Sequence, residues 1–303
     1  MSVSAHSTPL HRARGAHDVR VQPAQRQHGP VGLPANWWVF VLYVLGLVVV
    51  AGPFLWMVAS SFKDSQELHA FPPTLVPLRP TLDNYTTLFQ KLDFPLFFFN
   101  SLIVAAFVVA GNLLFCSMLG YALAKLHFGG RDQIFLIVMA TLMVPSTVTL
   151  VPLFVLMSSL GLVNSYPALI LPFLAGPFGV FLMRQFMLGV PDDLLEAARI
   201  DGASELGIFF RVVLPISYAP LATLGILTFL ASWNNFLWPL VVSSSERMYT
   251  LPVAVATFSV GQNATDYGLL MAGSTVLVLP VLVVFLALQR YFQPGIATTG
   301  LKG

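Results

Sequence analysis

Long intervals without a charged side chain constrain this sequence more than any other feature. The longest are Gln27–Phe62, Phe94–Ala124, Gln133–Met183, Val212–Ser245 and Tyr267–Gln289. A helix needs about 20 apolar residues to cross a bilayer. A soluble domain has about 25% charged residues, whereas this chain has 9%. The pattern therefore predicts an all-α membrane protein, and a net charge of +2 gives no reason to expect a nucleic-acid partner.

The charge-free intervals accommodate six transmembrane helices. We expect the first at about 37–59, the second at about 97–123, the fifth at about 218–241 and the sixth at about 268–289. Residues 133–183 are too long for one span and must hold the third and fourth. The break between these two is expected in Ser158–Pro167, where Gly161 and Asn164 interrupt the apolar pattern.

The distribution of lysine and arginine predicts the orientation of the chain. With the N-terminus inside the cell, eleven of these residues lie in inner segments and four in outer segments, which favours two cytoplasmic termini. Residues 1–34 are polar and aperiodic, and we expect a disordered cytoplasmic tail there. Residues 35–303 are expected to form the six-helix domain, with an outer loop at about 63–93.

Charged residues are concentrated in residues 189–215, which we call the acidic segment. Asp192–Arg199 is predicted to be helical, Gly202 to end that helix in a left-handed turn, and Ser204 to cap a second helix. Five acids oppose two bases in this segment. Helices that lie on lipid usually carry Lys and Arg on the polar face, so the acidic segment favours a protein partner.

One motif in the acidic segment resembles the cytoplasmic motif of ATP-binding-cassette (ABC) importer permeases. It consists of Glu196-Ala197-Ala198, Gly202, Val212 and Leu214-Pro215, and departs from the usual pattern only at Val212, where isoleucine is more common. The stretches SSFKDSQEL, FFNSL, SWNNFLWPL and GIATTGLKG are similar to the carbohydrate-type, MalG-like group. The resemblance covers nearly all of residues 37–303.

The resemblance implies a type I (MetI-like) permease fold with cytoplasmic coupling helices, in a bacterial cell membrane. The residues implied to couple the chain to an ATPase are Glu196, Ala197, Ala198, Arg199, Asp201, Gly202, Leu214 and Pro215. The implied partners are a MalF-like second permease, two ATP-binding subunits, an extracytoplasmic solute-binding protein and membrane lipid. The chain has no Gly-Lys dipeptide and hence no phosphate-binding loop. We therefore expect no cofactor and no enzymatic activity in this chain, with ATP and Mg²⁺ bound by partner subunits.

Polar residues within the spans are candidates for contact with a transported solute. Trp233, Asn234 and Asn235 combine a ring for stacking with amides for hydrogen bonding. Asn100, Asn112, Ser117 and the residues from Thr141 to Thr149 are weaker candidates. Polar side chains in spans also tie helices together, so each of these residues has a purely structural alternative.

Three functions remain open at this stage. The first is a permease subunit of an ATP-driven sugar importer, and the second is the same importer with another solute such as glycerol 3-phosphate, which would require a cationic group near the pathway. The third is a membrane scaffold for envelope glycans, which would have no ATPase partner. An ion-driven carrier is disfavoured because the centres of the spans hold no ionisable residue.

Overall fold

The structure, a computed structural model, describes residues 37–91, 93–257 and 266–289, and every regular element in these ranges is a helix. The predicted tail at 1–34 and the C-terminal GIATTGLKG lie outside the described residues. The α-helices are α1 Trp37–Ser61, α2 Ser65–Leu68, α3 Asp83–Lys91, α4 Phe94–Gly111, α5 Ser117–Lys125, α6 Arg131–Leu142, α7 Ser146–Ser159, α8 Tyr166–Ile170, α9 Pro177–Leu188, α10 Asp192–Ile200, α11 Glu205–Ile208, α12 Leu214–Ile216, α13 Tyr218–Trp233, α14 Leu237–Val242, α15 Leu251–Thr257 and α16 Tyr267–Leu288.

The chain divides into two units, residues 1–49 and 50–303. In the first unit, residues 37–49 form the opening turns of α1. The cavity and the acidic segment described below belong to the second unit.

Four continuous helical stretches are long and apolar enough to cross a bilayer. They are Trp37–Ser61, Phe94–Lys125, Tyr166–Leu188 and Tyr267–Ala287. Two further stretches qualify as bent pairs, α6 with α7 at 103° and Glu205–Ile216 with α13 at 82°. When each bent pair counts as one span, the total is the six that the sequence predicts.

The predicted break between the third and fourth spans is confirmed. Gly161 and Asn164 have φ of 68° and 61°, in the left-handed region, and α8 then begins with Pro167 in its first turn. The Asn164 side chain tolerates this conformation better than most, and its Oδ1 accepts the N–H groups of Ser244 and Ser245 at 3.0 Å. The turn is therefore fixed by a contact with the loop after α14.

The fifth span differs from the expected continuous helix over 218–241. Helix α13 ends at Trp233, and α14 begins only at Leu237. The Asn234 side chain donates its Nδ2 hydrogen to the carbonyl of Leu230 at 3.0 Å. Asparagine favours helix ends because its amide competes with the backbone in this way. The interruption leaves Asn234 and Asn235 outside regular helix.

Close packing of the second and fourth spans forms the core beneath the acidic segment. A Cβ atom on Gly120 would lie 2.8 Å from the Cβ of Met183, and one on Gly179 would lie 2.8 Å from the Sγ of Cys116. One buried cluster joins these two spans to the acidic segment. Its members include Cys116, Tyr121, Leu123, Val180, Met183, Met187, Leu195, Ile208, Phe209 and Val213. The acidic segment is thus part of the packed domain.

The predicted outer loop contains the short helices α2 and α3 and is held by local hydrogen bonds. The buried ammonium of Lys63 donates to the carbonyl of Thr74 at 2.5 Å, and the Oε1 of Glu67 accepts from the Thr74 hydroxyl at 2.6 Å. Asn84 donates to the carbonyls of Ser61 and Lys63 at 2.9 and 2.8 Å. These bonds give a small ordered lip at the end of the spans opposite the acidic segment.

Candidate functional site

The backbone of the acidic segment follows the predicted pattern. Helix α10 ends before Gly202, whose φ is 82°, and the Ser204 hydroxyl caps α11 by accepting the N–H of Gly207 at 3.2 Å. Asp192 and Asp193 occupy the first turn of α10, where negative charge complements the helix dipole. The two helices, the left-handed turn and the cap are therefore all confirmed.

Helix α10 buries one face and presents the other to solvent. Leu195 is 1% exposed and Ala198 packs partly against the same core. On the outer face, Glu196 and Ala197 are exposed and Ile200 is 86% exposed. A small alanine beside a protruding aliphatic side chain forms a surface that another helix or cleft can approach closely.

The remaining motif residues take different positions. Asp201, Gly202 and Pro215 are exposed, whereas Leu214 is partly buried against the core. Arg199, which the resemblance placed at the partner contact, donates its Nε hydrogen to the Oε1 of Glu205 at 2.8 Å. This half-exposed pair ties α10 to α11 across the turn, so Arg199 also has a role within the chain.

Two residues at the end of α5 contact the acidic segment, and the sequence reasoning did not single them out. The Tyr121 hydroxyl donates to the Oε2 of Glu205 at 2.7 Å, and the ammonium of Lys125 donates to the Oδ1 of Asp192 at 2.6 Å. The hydrogen bond and charge of Lys125 hold the pKa of Asp192 below its ordinary value. A tyrosine and a lysine four positions apart at the end of a span was the available signal.

A cavity of about 630 Å³ lies among the spans. Helices α4, α7, α9 and α13, with the loops around them, form its wall. Its polar lining residues are Ser101, Asn112, Ser146, Thr147, Thr149, Thr228, Ser232, Asn234, Asn235 and Thr250, and its aromatic lining residues are Phe173, Phe178, Phe236 and Trp238. Within the described residues, the lining contains no charged side chain.

The structure separates the three main pathway candidates. Asn234 and Asn235 line the cavity. Trp233 does not line it: its indole is 1% exposed, donates to the carbonyl of Leu277 at 3.0 Å and stacks on Phe229 with a centroid distance of 5.5 Å. The expected solute contact of Trp233 is therefore corrected to a packing role, because neither face of its ring is accessible.

Among the weaker candidates, Asn100 and Ser117 serve packing. Asn100 is fully buried and donates to the carbonyls of Arg247 and Tyr249, both at 2.9 Å. The hydroxyl of Ser117 bonds to the carbonyl of Leu113 in its own helix. Neither residue lines the cavity.

Asn112 and the residues from Thr141 to Thr149 behave differently. Asn112 lines the cavity, but its amide is already bonded to the carbonyl of Phe173 at 2.6 Å and to the N–H of Gly176 at 3.0 Å. Thr147 and Thr149 line the cavity, whereas Thr141 does not and bonds to its own helix.

A polar stripe on α13 was missed by the sequence reasoning. Thr228 and Ser232 line the cavity four residues apart on one side of α13, and the predicted candidate Asn235 lines it just beyond the end of that helix. The spacing is visible in the sequence. Only the cavity shows that this side of α13 faces an open space.

Comparison with known proteins gives a consistent family. Residues 116–298 match the binding-protein-dependent transport system inner membrane component family. The arabinooligosaccharides transport system permease protein AraQ of Halalkalibacterium halodurans is 42% identical, over 88% of this chain and 97% of that protein. The sn-glycerol-3-phosphate transport system permease protein UgpE of Pectobacterium atrosepticum is 33% identical, over 84% of this chain and 94% of that protein.

The fold also matches that of a solved transporter. A chain in the crystal structure of a bacterial ABC transporter involved in the import of the acidic polysaccharide alginate aligns with a TM-score of 0.76. The match covers 84% of this chain and 96% of that chain, at 23% sequence identity. At this identity the likeness concerns the fold.

Proposed function

The chain belongs to the family of binding-protein-dependent transport system inner membrane components, and on this premise we propose that it forms half of the pathway of an importer for uncharged sugars. It is a membrane-embedded permease subunit of an ABC importer rather than an enzyme. Membership of this family argues against the alternative of a membrane scaffold for envelope glycans.

The coupling surface of this permease is the exposed face of the acidic segment. Glu196, Ala197, Asp201 and Gly202 are exposed there, and Ala198 supports them from the core side. In this proposal the ATP-binding subunits hold ATP and Mg²⁺ and dock against this face, with the acidic segment in the cytoplasm. The excess of lysine and arginine in the inner segments supports that orientation.

The cargo proposal is supported above all by the chemistry of the cavity. Its wall contains hydroxyl and amide side chains together with aromatic rings, and no charged side chain is present in the described lining. Its volume of about 630 Å³ is in the range of roughly 300–1,000 Å³ that is usual for small-molecule sites. Neutral hydroxyls fit such a wall, whereas a phosphate or carboxylate would call for an arginine or lysine.

The relatives include proteins named for different cargoes, arabinooligosaccharides and sn-glycerol 3-phosphate. The uncharged wall favours the first chemistry for this chain. In the proposed assembly a MalF-like permease completes the pathway, two ATP-binding subunits drive it, and an extracytoplasmic binding protein delivers the sugar. Closure of the ATP-binding subunits would move the coupling segments together and rock the two permease halves, which gives alternating access.

A pull-down tests the proposed coupling. The tagged chain is isolated from membranes in mild detergent, and co-purifying proteins are identified by mass. Wild type should retain a second permease and an ATP-binding subunit with ATPase activity, whereas Glu196→Lys and Gly202→Pro should lose the ATP-binding subunit. Glu246→Lys, which changes an exposed glutamate near the opposite end of the spans, is the matched control and should retain it. Equal recovery from all variants would refute the assigned surface.

Uptake competition tests the proposed cargo. Unlabelled arabinotriose should compete with labelled sugar taken up through the system, and sn-glycerol 3-phosphate should not. Competition by the phosphate ester alone would show that the uncharged wall is a poor guide to the cargo.

A further inference from the structure

One face at the end of α5 bonds to the first residue of α10 and to the first residue of α11 in the acidic segment. Lys125 donates to the Oδ1 of Asp192, which begins α10, and also to the carbonyl of Val190, both at 2.6 Å. Tyr121 donates to the Oε2 of Glu205, which begins α11, at 2.7 Å. Tyr121 and Lys125 are four residues apart, so they share one helix face. We call these bonds the α5 contacts.

The α5 contacts are set against the protein interior. Tyr121 is 4% exposed, and its ring lies 5.7 Å from that of Phe209. The Lys125 side chain is 5% exposed, although its partner Asp192 is 72% exposed. Loss of its acceptors would be costly for the buried ammonium of Lys125, which would then have neither water nor a partner. These bonds therefore restrain the segment more firmly than a pair between two solvated side chains.

The Glu205 carboxylate extends the contact across the whole segment. Its Oε2 accepts from Tyr121, while its Oε1 accepts from Arg199 in the last turn of α10. In the chain, the turn at Gly202 lies between Arg199 and Glu205, so the bond between these two side chains closes over it. Both helices and the turn are thus connected to α5 by hydrogen bonds of defined direction.

Helix α5 continues from these contacts to the cavity wall. A π-helical turn over Asn112–Cys116 joins it to α4 without a break in the span. Asn112 lines the cavity and lies nine residues before Tyr121, a distance of about 13 Å along a helix. The amide of Asn112 also bonds to Phe173 and Gly176 in the fourth span. A displacement of α5 along its axis must therefore disturb the cavity wall.

We infer that Tyr121 and Lys125 are positioning residues for transport, which fix the acidic segment to α5 so that its movement is transmitted to the cavity wall at Asn112. This inference rests on the proposed function, because docked ATP-binding subunits supply the movement. The α5 contacts set the register of the segment along the helix, because their hydrogen bonds have fixed partners and directions. Loss of a contact should leave ATPase docking intact and weaken the response of the cavity.

The test follows cavity access in the complex isolated with its co-purifying subunits and placed in lipid nanodiscs. Thr147→Cys provides a reporter, since Thr147 is exposed and lines the cavity, while the native Cys116 is fully buried. The rate at which maleimide labels the cysteine at position 147 is measured without nucleotide and again after trapping with ATP and vanadate. This readout requires no knowledge of the cargo, and ATPase recovery is measured on the same samples.

In the reporter background, we expect trapping to change the labelling rate about tenfold as the population shifts between two access states. Tyr121→Phe, which removes only the hydroxyl, and Lys125→Met should each reduce this change to less than about twofold. Both variants should still co-purify with the ATP-binding subunit, and its ATPase activity should be unchanged. Lys125→Arg should restore the response, and Tyr43→Phe in α1 should resemble wild type.

Two results would overturn the inference. If Tyr121→Phe and Lys125→Met respond like wild type, the α5 contacts transmit nothing. If these variants lose the ATPase, the contacts shape the docking surface instead of transmitting its movement. A reporter complex that lacks ATPase, or that does not respond to trapping, would instead refute the proposed function and this inference together.

Discussion

The turn at Gly202 gives a prediction with a matched control elsewhere in the chain. Gly202 has φ of 82°, and a Cβ atom built on it meets nothing within 4 Å. Gly130, which precedes α6, has φ of 86° and equally open surroundings. Alanine at either position therefore adds backbone strain without a steric clash. Only Gly202 lies in the surface assigned to the ATP-binding subunit.

The expected magnitude follows from the backbone alone. An L-residue in the left-handed region costs roughly 1–2 kcal/mol. A loss of about 1 kcal/mol lowers the midpoint of thermal unfolding by about 2–4 °C for a domain of this size. Reorienting α10 against α11 would relieve this strain, but it would also lower the population of the turn that can dock. A strain of about 1 kcal/mol then corresponds to roughly a fivefold loss in affinity for the ATP-binding subunit.

The assay compares Gly202→Ala, Gly202→Asn and Gly130→Ala in one detergent. Thermal unfolding and the affinity of the co-purified ATP-binding subunit are measured for each variant. Both alanine variants should show the same small loss of stability, but only Gly202→Ala should bind the ATP-binding subunit more weakly. Gly202→Asn should recover part of the affinity, because asparagine tolerates the left-handed region. Equal weakening by Gly130→Ala, or undiminished binding by Gly202→Ala, would show that the turn at Gly202 is not part of the docking surface.

Three further predictions concern packing, the cavity and pH. Gly120→Ala should lower the unfolding midpoint measurably, because its Cβ would lie 2.8 Å from a side-chain carbon of the fourth span, and overpacking costs about 1–3 kcal/mol; an unchanged midpoint would contradict the close approach. Trp233→Phe should reduce thermal stability but leave the KM for sugar uptake unchanged, whereas Asn235→Ala should raise that KM with little effect on stability, and the opposite result would reverse the assigned roles. Lys125 lowers the pKa of Asp192 below its ordinary 3.8, so the contribution of this pair to stability is complete above pH 3.8 and is lost as the pH falls through the lowered native pKa; the difference in unfolding midpoint between wild type and Asp192→Asn should shrink only in that acidic range.

Much of the fold could be predicted from the sequence, because the membrane makes the apolar pattern decisive. Charge-free intervals located the spans, and Gly161 and Asn164 marked the break between the third and fourth. The interruption after Trp233 was not anticipated, because residues 218–241 contain no charged side chain. Local competition by the Asn234 side chain for the Leu230 carbonyl accompanies the end of the helix there.

Features of the candidate site that depend on local backbone preferences could be predicted from the sequence. Features that depend on packing between distant residues could not. Gly202 and Ser204 have strong local preferences, so the turn and cap were foreseen. Whether a polar or aromatic residue faces a cavity or a neighbouring helix depends on long-range packing, which is why Trp233 was assigned wrongly and the stripe of Thr228 and Ser232 was missed. The α5 contacts join residues 67 and 84 positions apart, so the four-residue spacing of Tyr121 and Lys125 could mark these two residues but could not identify their partners.

Photocrosslinking from α10 tests the coupling claim most directly. A benzoylphenylalanine in place of Ile200, which is 86% exposed, reports what covers the assigned face in intact membranes. The same group in place of Phe71, which is 94% exposed on the opposite lip, is the matched control. We expect an adduct with an ATP-binding subunit from position 200 and none from position 71. Adducts with lipid alone from position 200, or an ATP-binding subunit captured from position 71, would contradict this expectation.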